Sequence, residues 1–270
     1  MELHLQGKTA IVTGGGGAIG GAIARGLAAE GAQVAVWDLA EPAAPARAAE
    51  ITAAGGRALA VRCDVTERRA VSEALEATVQ RFAAVDILVN TAGGSRRQTT
   101  TGPDLSFFDI ATDEMRRTMD LNFTSAVVPC QEVGRIFARR GEGVVLMISS
   151  IVGQRPISRS VAYSSGKAAI DTFTRWLAVH MATTYGPGIR VNAVAPGFML
   201  TDQNRFLLVD ETTGGPTERT RQVLAHVPMA RLGDPQDVVG AVLWLVSDQA
   251  RFVTGVVVPV DGGFAANAGV

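Results

Sequence analysis

Seven short, continuously apolar runs, separated by alanine-rich stretches of helical length, constrain this chain more than any other feature. TAIVT (9–13), QVAVW (33–37), RALAV (57–61), DILVN (86–90), GVVLMIS (143–149), RVNAVA (190–195) and VVVPV (256–260) read as strands. Unbroken apolar runs of this length predict strands covered by helices on both faces, because a strand with one wet face would alternate. The stretches 18–30, 42–54, 66–83, 112–140, 161–185 and 235–248 read as the covering helices. Asp234-Pro235 starts the last of them, an N-cap acceptor followed by proline at the first helical position. Strand–helix alternation predicts an α/β fold: a single-domain, Rossmann-like, doubly wound sheet of seven mainly parallel strands.

No linker or internal repeat divides the 270 residues, so residues 1–270 are expected to form one domain. Two stretches break the alternation, about 94–111 and 198–227, both polar and rich in Gly, Thr and Arg. Each follows a strand at its carboxyl end, on the rim where open α/β sheets bind ligands, and each is expected to cover a substrate. A formal net charge of −1 argues against nucleic acid as a partner. Cys63 and Cys130 cannot build a disulfide framework, and His4, His180 and His226 offer no metal-ligand spacing. No secretory signal opens the chain and the apolar runs fall short of a membrane span, so a cytoplasmic, membrane-free protein is expected.

The run TGGGGAIG, Thr13 to Gly20, lies between the first strand and the first helix. Glycine there permits a tight turn and close approach to a pyrophosphate, which the amides of the helix N-terminus then meet. Asp38 ends the second strand in VAVWDLA. A carboxylate at that point accepts hydrogen bonds from both adenosine ribose hydroxyls and repels a 2′-phosphate, which predicts NAD rather than NADP.

Among 25 basic residues only Lys8 and Lys167 are lysine, and only Tyr163 and Tyr185 are tyrosine. YSSGK sets Tyr163 and Lys167 four apart in a helical stretch, on one face. An ammonium beside a phenol favours the phenolate and is expected to lower its pKa from about 10, suiting a tyrosine that exchanges protons with an alcohol or carbonyl oxygen.

With these residues in place, the chain resembles the short-chain dehydrogenases/reductases over essentially its whole length. The likeness rests on the glycine loop, Asp64 in CDV, NTAG from Asn90 to Gly93, Asn122 in DLNF, Ser150 in ISS, Tyr163 and Lys167, Pro196-Gly197, Thr201, and VDGG from Asp261 to Gly263. The resemblance implies that Ser150, thirteen residues before Tyr163, donates to the substrate oxygen. It implies that Tyr163 is the general acid/base and that Lys167 holds the nicotinamide ribose. Asn122 would fix a water linking Lys167 to solvent. Gly14, Gly17, Ala18, Ile19, Gly20, Asp38, Asp64, Val65, Asn90, Ala92, Gly93, Pro196, Gly197 and Thr201 would surround NAD together with Tyr163 and Lys167. Three positions depart from the family pattern: Ala18 for the middle glycine of the loop, Thr91 in NTAG for asparagine, and Gly166 where serine is common.

A narrower likeness comes from TGGGGAIGGAIA, NTAGG, FTRWLAVHMATTYG, APGFMLTDQNRFLL and VTGVVVPVDGGFAANAGV, which are similar to the D-mannonate oxidoreductase (fructuronate reductase) branch of the family. A sugar acid calls for a cationic clamp and many hydrogen-bonding groups, for which Arg96, Arg97, Gln154, Arg155, Arg159, Gln203, Asn204 and Arg205 are the candidates. The alternatives are another polyol or sugar dehydrogenase and a 3-oxoacyl-thioester reductase. A regulator that only senses NAD would typically lack the tyrosine or the lysine. Relatives in this family are commonly homotetramers, which the resemblance implies here, a dimer being the other possibility.

Overall fold

In this computed structural model, which describes residues 2–201 and 204–267, the strands are β1 (Thr9–Thr13), β2 (Gln33–Asp38), β3 (Arg57–Arg62), β4 (Ile87–Asn90), β5 (Glu142–Ile148), β6 (Gly188–Pro196) and β7 (Val257–Val260). They form one sheet in the order β3-β2-β1-β4-β5-β6-β7, with every pairing parallel. The expected seven strands are all present, each within two residues of its sequence-read start and end.

Successive residues along each strand point to opposite faces, and both faces are dry. Ile11 and Leu88 pack below the sheet with α3 (Arg68–Phe82), α5 (Ser125–Arg140) and α6 (Val161–Thr184). Ala10, Val12, Ile87 and Val89 pack above it with α1 (Ala18–Ala29), α2 (Ala43–Ala53) and α9 (Val239–Val246). This double coverage is the physical reason the strand runs carry no polar alternation.

The strand order reverses between β1 and β4, and a crevice opens there at the carboxyl ends of the strands. The helix expected over 112–140 is three pieces in line: α4 (Thr112–Met119), a π-helical segment Asp120–Thr124, and α5. The π segment carries Asn122. Of the two long connections, the second folds into two short helices, α7 (Arg205–Leu208) and α8 (Glu218–Leu224). The first holds 3-10 turns at Arg97–Thr99 and Phe107–Asp109.

Candidate active site

A cleft of about 560 Å³ occupies the crevice, lined by the glycine loop, the end of β2, the Cys63–Thr66 stretch, the Thr91–Gly93 stretch, and Leu121 and Thr201. The loop is built for close approach. Gly14 sits at φ +59°, and a Cβ on Gly20 would lie 2.3 Å from the Gly14 carbonyl oxygen. Gly17 precedes α1 without a side-chain cap, and the first turn of that helix contains no acidic residue. Its leading amides are therefore left to an anion, the arrangement a pyrophosphate requires. The substitution of Ala18 for glycine is harmless because Ala18 is already helical, and the left-handed turn falls on Gly14.

Gly14, Gly17, Ala18, Ile19, Gly20, Asp38, Asp64, Val65, Ala92, Gly93 and Thr201 all border this cleft. Asp38 is anchored from both oxygens, accepting from Gly16 N at 3.0 Å and from Ala40 N at 2.9 Å. Asp64 is held by Thr66, whose amide and hydroxyl donate at 3.0 and 2.6 Å. Thr91 explains its own departure from the family pattern. Its hydroxyl donates to the Thr13 carbonyl and its amide donates to Thr13 Oγ1 at 3.1 Å, tying β4 to β1 beneath the loop.

Asn90, Pro196 and Gly197, also expected at the cofactor, are not among the residues that line this cleft. Asn90 is buried and turns its amide to Cys130 Sγ at 3.3 Å and Met147 Sδ at 3.4 Å, into the core rather than the cleft. Pro196 and Gly197 close the end of β6. The Pro196 carbonyl accepts from Ser150 Oγ at 3.4 Å, and a Cβ on Gly197 would meet Asp261 Cα at 2.7 Å. Sequence reasoning missed Arg47, which reaches from α2 to the Asp38 end of the cleft. It lies flat on α1, where a Cβ on Gly21 would come within 2.4 Å of its Nε. That nitrogen is buried without a hydrogen-bond partner. Only an arginine nine residues past a strand end marks it in the sequence, which is no signal at all.

At the inner end of the cleft the four expected catalytic groups converge. A Cβ on Gly93 would lie 2.9 Å from Asn122 Oδ1 and 3.2 Å from Lys167 Nζ, so both side chains press on the cleft wall. Asn122 grips Gly94 by two hydrogen bonds, accepting from its amide at 2.9 Å and donating to its carbonyl at 2.8 Å. Gly166 permits this arrangement, because a Cβ there would meet Asn122 Cβ at 2.8 Å. Ser150 opens the turn after β5 and is hydrogen-bonded to Tyr163.

Lys167 is buried and donates to the Ile148 carbonyl at 2.8 Å. Burial pulls its ammonium down to about 8, against the carboxylate of Asp171 one turn on. Asp171 is itself buried, accepts from Ser149 Oγ, and is pushed up by desolvation. The expectation that Lys167 lowers the Tyr163 pKa needs correction. The ammonium lies over the tyrosine ring, 5.8 Å from its centroid, and burial pushes the phenol up, with only the Ser150 hydrogen bond opposing. A desolvated phenol is therefore held protonated at neutral pH, the state that donates a proton to a carbonyl oxygen.

The candidate carboxylate clamp largely dissolves. Arg96 is paired with Glu114 at 3.2 Å. Arg155 donates to the Asn267 carbonyl at 3.0 Å. Gln154 turns to Asp171. Asn204 spends its side chain on its own turn, donating to the Met199 carbonyl at 2.7 Å and accepting from Thr201 N at 2.9 Å. Arg205 is exposed at the start of α7. Gln203 lies outside the described residues.

A family model described as enoyl-(acyl carrier protein) reductase matches residues 16–265. An uncharacterized oxidoreductase of Bacillus subtilis, UxuB, is 41% identical, with 100% of this chain and 99% of the relative covered. A crystal structure from Haemophilus influenza, provisionally described as a D-mannonate oxidoreductase and holding NAD, superposes with a TM-score of 0.92 at 37% identity, covering 98% of each chain. A structure from Beutenbergia cavernae, provisionally described as an NAD(P)-dependent gluconate 5-dehydrogenase with bound NADP, reaches a TM-score of 0.86 at 31% identity. It covers 99% of this chain and 100% of that one. This chain belongs to the short-chain dehydrogenase/reductase family. It is a nicotinamide-dependent oxidoreductase acting on hydroxyl groups.

Proposed function

We propose that this protein reduces the keto group of a sugar acid with NADH, D-fructuronate to D-mannonate, and catalyses the reverse oxidation with NAD. The observation that carries this reading is a connected group at a cleft whose glycine turn fits a pyrophosphate: Asn122 and Lys167 press on Gly93, Lys167 lies over the Tyr163 ring, and Tyr163 is hydrogen-bonded to Ser150. The bound nicotinamide supplies or accepts the hydride. Ser150 and Tyr163 hold the substrate oxygen, and Tyr163 gives it a proton in reduction or takes one in oxidation. Lys167 supplies a buried positive charge for the ribose hydroxyls, and Asn122 braces the wall in front of it. The raised phenol favours reduction at neutral pH and oxidation under alkaline conditions.

Asp38 at the end of β2, lining the cleft, supports NAD as the cofactor, since a carboxylate there would repel a 2′-phosphate. The substrate class is supported by likeness to the Haemophilus protein over nearly the full length of both chains. The two long connections close over the substrate. Assembly as a homotetramer is supported by an aromatic row on α6, where Trp176 is 58% and Val179 65% exposed and Trp176 stacks on His180 at 4.8 Å; light scattering of the purified protein tests it.

Initial rates with NADH and NADPH across D-fructuronate, tagaturonate, 5-ketogluconate, neutral hexuloses and a 3-oxoacyl thioester test the whole reading. The highest kcat/KM is expected for D-fructuronate with NADH. Activity confined to the thioester would overturn the substrate while sparing the fold.

A further inference from the structure

Ser150 and Tyr163 act on one substrate oxygen but come from different elements, the end of β5 and the start of α6, with a turn and a loop between them. Their spacing therefore depends on how the strand end is held against the helix. Three successive residues make that contact with one stripe of α6. The Ile148 carbonyl accepts from Lys167 Nζ at 2.8 Å. The Ser149 hydroxyl donates to a carboxylate oxygen of Asp171 and lies 3.4 Å from the Lys167 carbonyl oxygen. Ser150 is hydrogen-bonded to Tyr163. Positions 163, 167 and 171 are four apart, so their side chains follow one another along one side of the helix.

Lys167, Ser150 and Tyr163 already have chemical roles; Ser149 and Asp171 have none. Asp171 is not among the residues that line the cleft, and it is buried, a costly place for a carboxylate unless hydrogen bonds hold it. Besides Ser149, the groups acting on it are Gln154 from the turn, and Lys167 and Arg175 of its own helix. Ser149 is buried as well, and its amide donates to the Val194 carbonyl at 2.8 Å, so this residue is tied both to the sheet and to the helix. Beyond Ser150 the turn comes equally close to α6: a Cβ on Gly153 would lie 2.8 Å from the Lys167 carbonyl oxygen. Strand end, turn and helix thus lock together immediately behind Ser150.

We propose that Asp171 is a positioning residue: through its hydrogen bond with Ser149 it sets the register of the β5 end along α6, and so holds the Ser150 hydroxyl and the Tyr163 phenol on one substrate oxygen. A carboxylate is a stronger acceptor than a neutral oxygen, which suits a contact that must keep one geometry. The precision matters because a misplacement of about 1 Å costs on the order of a hundredfold in rate. This inference rests on the roles given above to Ser150 and Tyr163, and on no particular substrate.

Steady-state kinetics of Ser149→Ala, Asp171→Ala and Asp171→Asn test it, with whichever compound of the substrate panel above wild type reduces fastest. If that compound is not D-fructuronate, the substrate reading falls and the positioning test runs unchanged. Each alanine variant is expected to lower the pH-independent kcat by about tenfold or more, a larger change than in NADH affinity read by fluorescence titration. Asp171→Asn keeps an oxygen that accepts from Ser149, and should recover much of what Asp171→Ala loses. Ser150→Ala adds a readout that mere packing would not move. Where Asp171 acts through Ser150, removing the Ser150 hydroxyl costs a smaller factor in kcat in the Asp171→Ala background than in wild type, because the hydroxyl is already misplaced. Equal factors in the two backgrounds would overturn the proposal. So would a kcat within about twofold of wild type in both alanine variants, or an Asp171→Asn protein as slow as Asp171→Ala.

Discussion

Replacing Asp38 with asparagine removes the charge at the adenosine end of the cleft while keeping its shape. Wild-type Asp38 accepts from the amides of Gly16 at 3.0 Å and Ala40 at 2.9 Å, and it shares that end of the cleft with Arg47. For a 2′-phosphate held about 6 Å away, each unit of like charge costs roughly 0.7 kcal/mol in water-like surroundings and about 3 kcal/mol at an effective dielectric of 20. A value near 2 kcal/mol converts to about thirtyfold in relative kcat/KM. With the carboxylate gone, Arg47 remains beside the site but is paired with Glu50, so the change is chiefly the loss of the Asp38 charge. Asparagine can still accept one of the two backbone bonds, and losing the other costs about 1 kcal/mol of stability. The assay is the ratio of kcat/KM for NADH over NADPH with one substrate at fixed ionic strength, because added salt screens the effect. A fall of tenfold to about a hundredfold in that ratio is expected. A folded Asp38→Asn protein whose ratio stays within about threefold of wild type would refute the reasoning, as would a wild type that prefers NADPH.

Other consequences follow from the buried charges and the loop. Lys167 falls from its ordinary 10.5 to about 8 on folding, so between those values the unfolded chain holds a proton the folded chain has released. Stability should therefore rise with pH through that window, by roughly 2–4 kcal/mol relative to Lys167→Met, and parallel urea-denaturation curves for the two proteins would contradict this. Asp171→Asn removes the carboxylate that favours the Lys167 ammonium, so the alkaline limb of the reductive pH profile should move to lower pH; an unmoved limb would show that Asp171 only packs. In Gly20→Ala the new methyl would lie 2.3 Å from the Gly14 carbonyl and 2.6 Å from Thr91 Oγ1, costing about 1–3 kcal/mol and weakening NADH binding in a fluorescence titration. Unchanged affinity and melting temperature would remove the glycine turn from the account.

The strands were legible because burial on both faces leaves each of them uniformly apolar. The cofactor end was legible because the glycine turn needs a local spacing, and Gly14 and Gly20 do meet across it. What the sequence hid depends on distant pairing. Arg96 lies close to the NTAGG motif in sequence, but Glu114 neutralises it, and Arg155 is held by a carbonyl from residue 267. The π segment around Asn122 was hidden because one widened turn leaves the apolar periodicity on either side intact. The direction of the Tyr163 shift was misjudged for a related reason. Four-residue spacing puts Lys167 on the same helix face, but burial of both groups outweighs their proximity.

The central claim is that Tyr163 passes a proton to the substrate oxygen as the nicotinamide delivers its hydride. Its most direct test is NADH consumption with D-fructuronate at neutral pH, in wild type and in Tyr163→Phe, with NADH binding measured in both. Wild type should consume NADH, and the variant should bind it equally well while losing about 10²–10⁴ in kcat, the range of a positioned general acid. A Tyr163→Phe protein that turns over D-fructuronate at the wild-type rate would contradict the account.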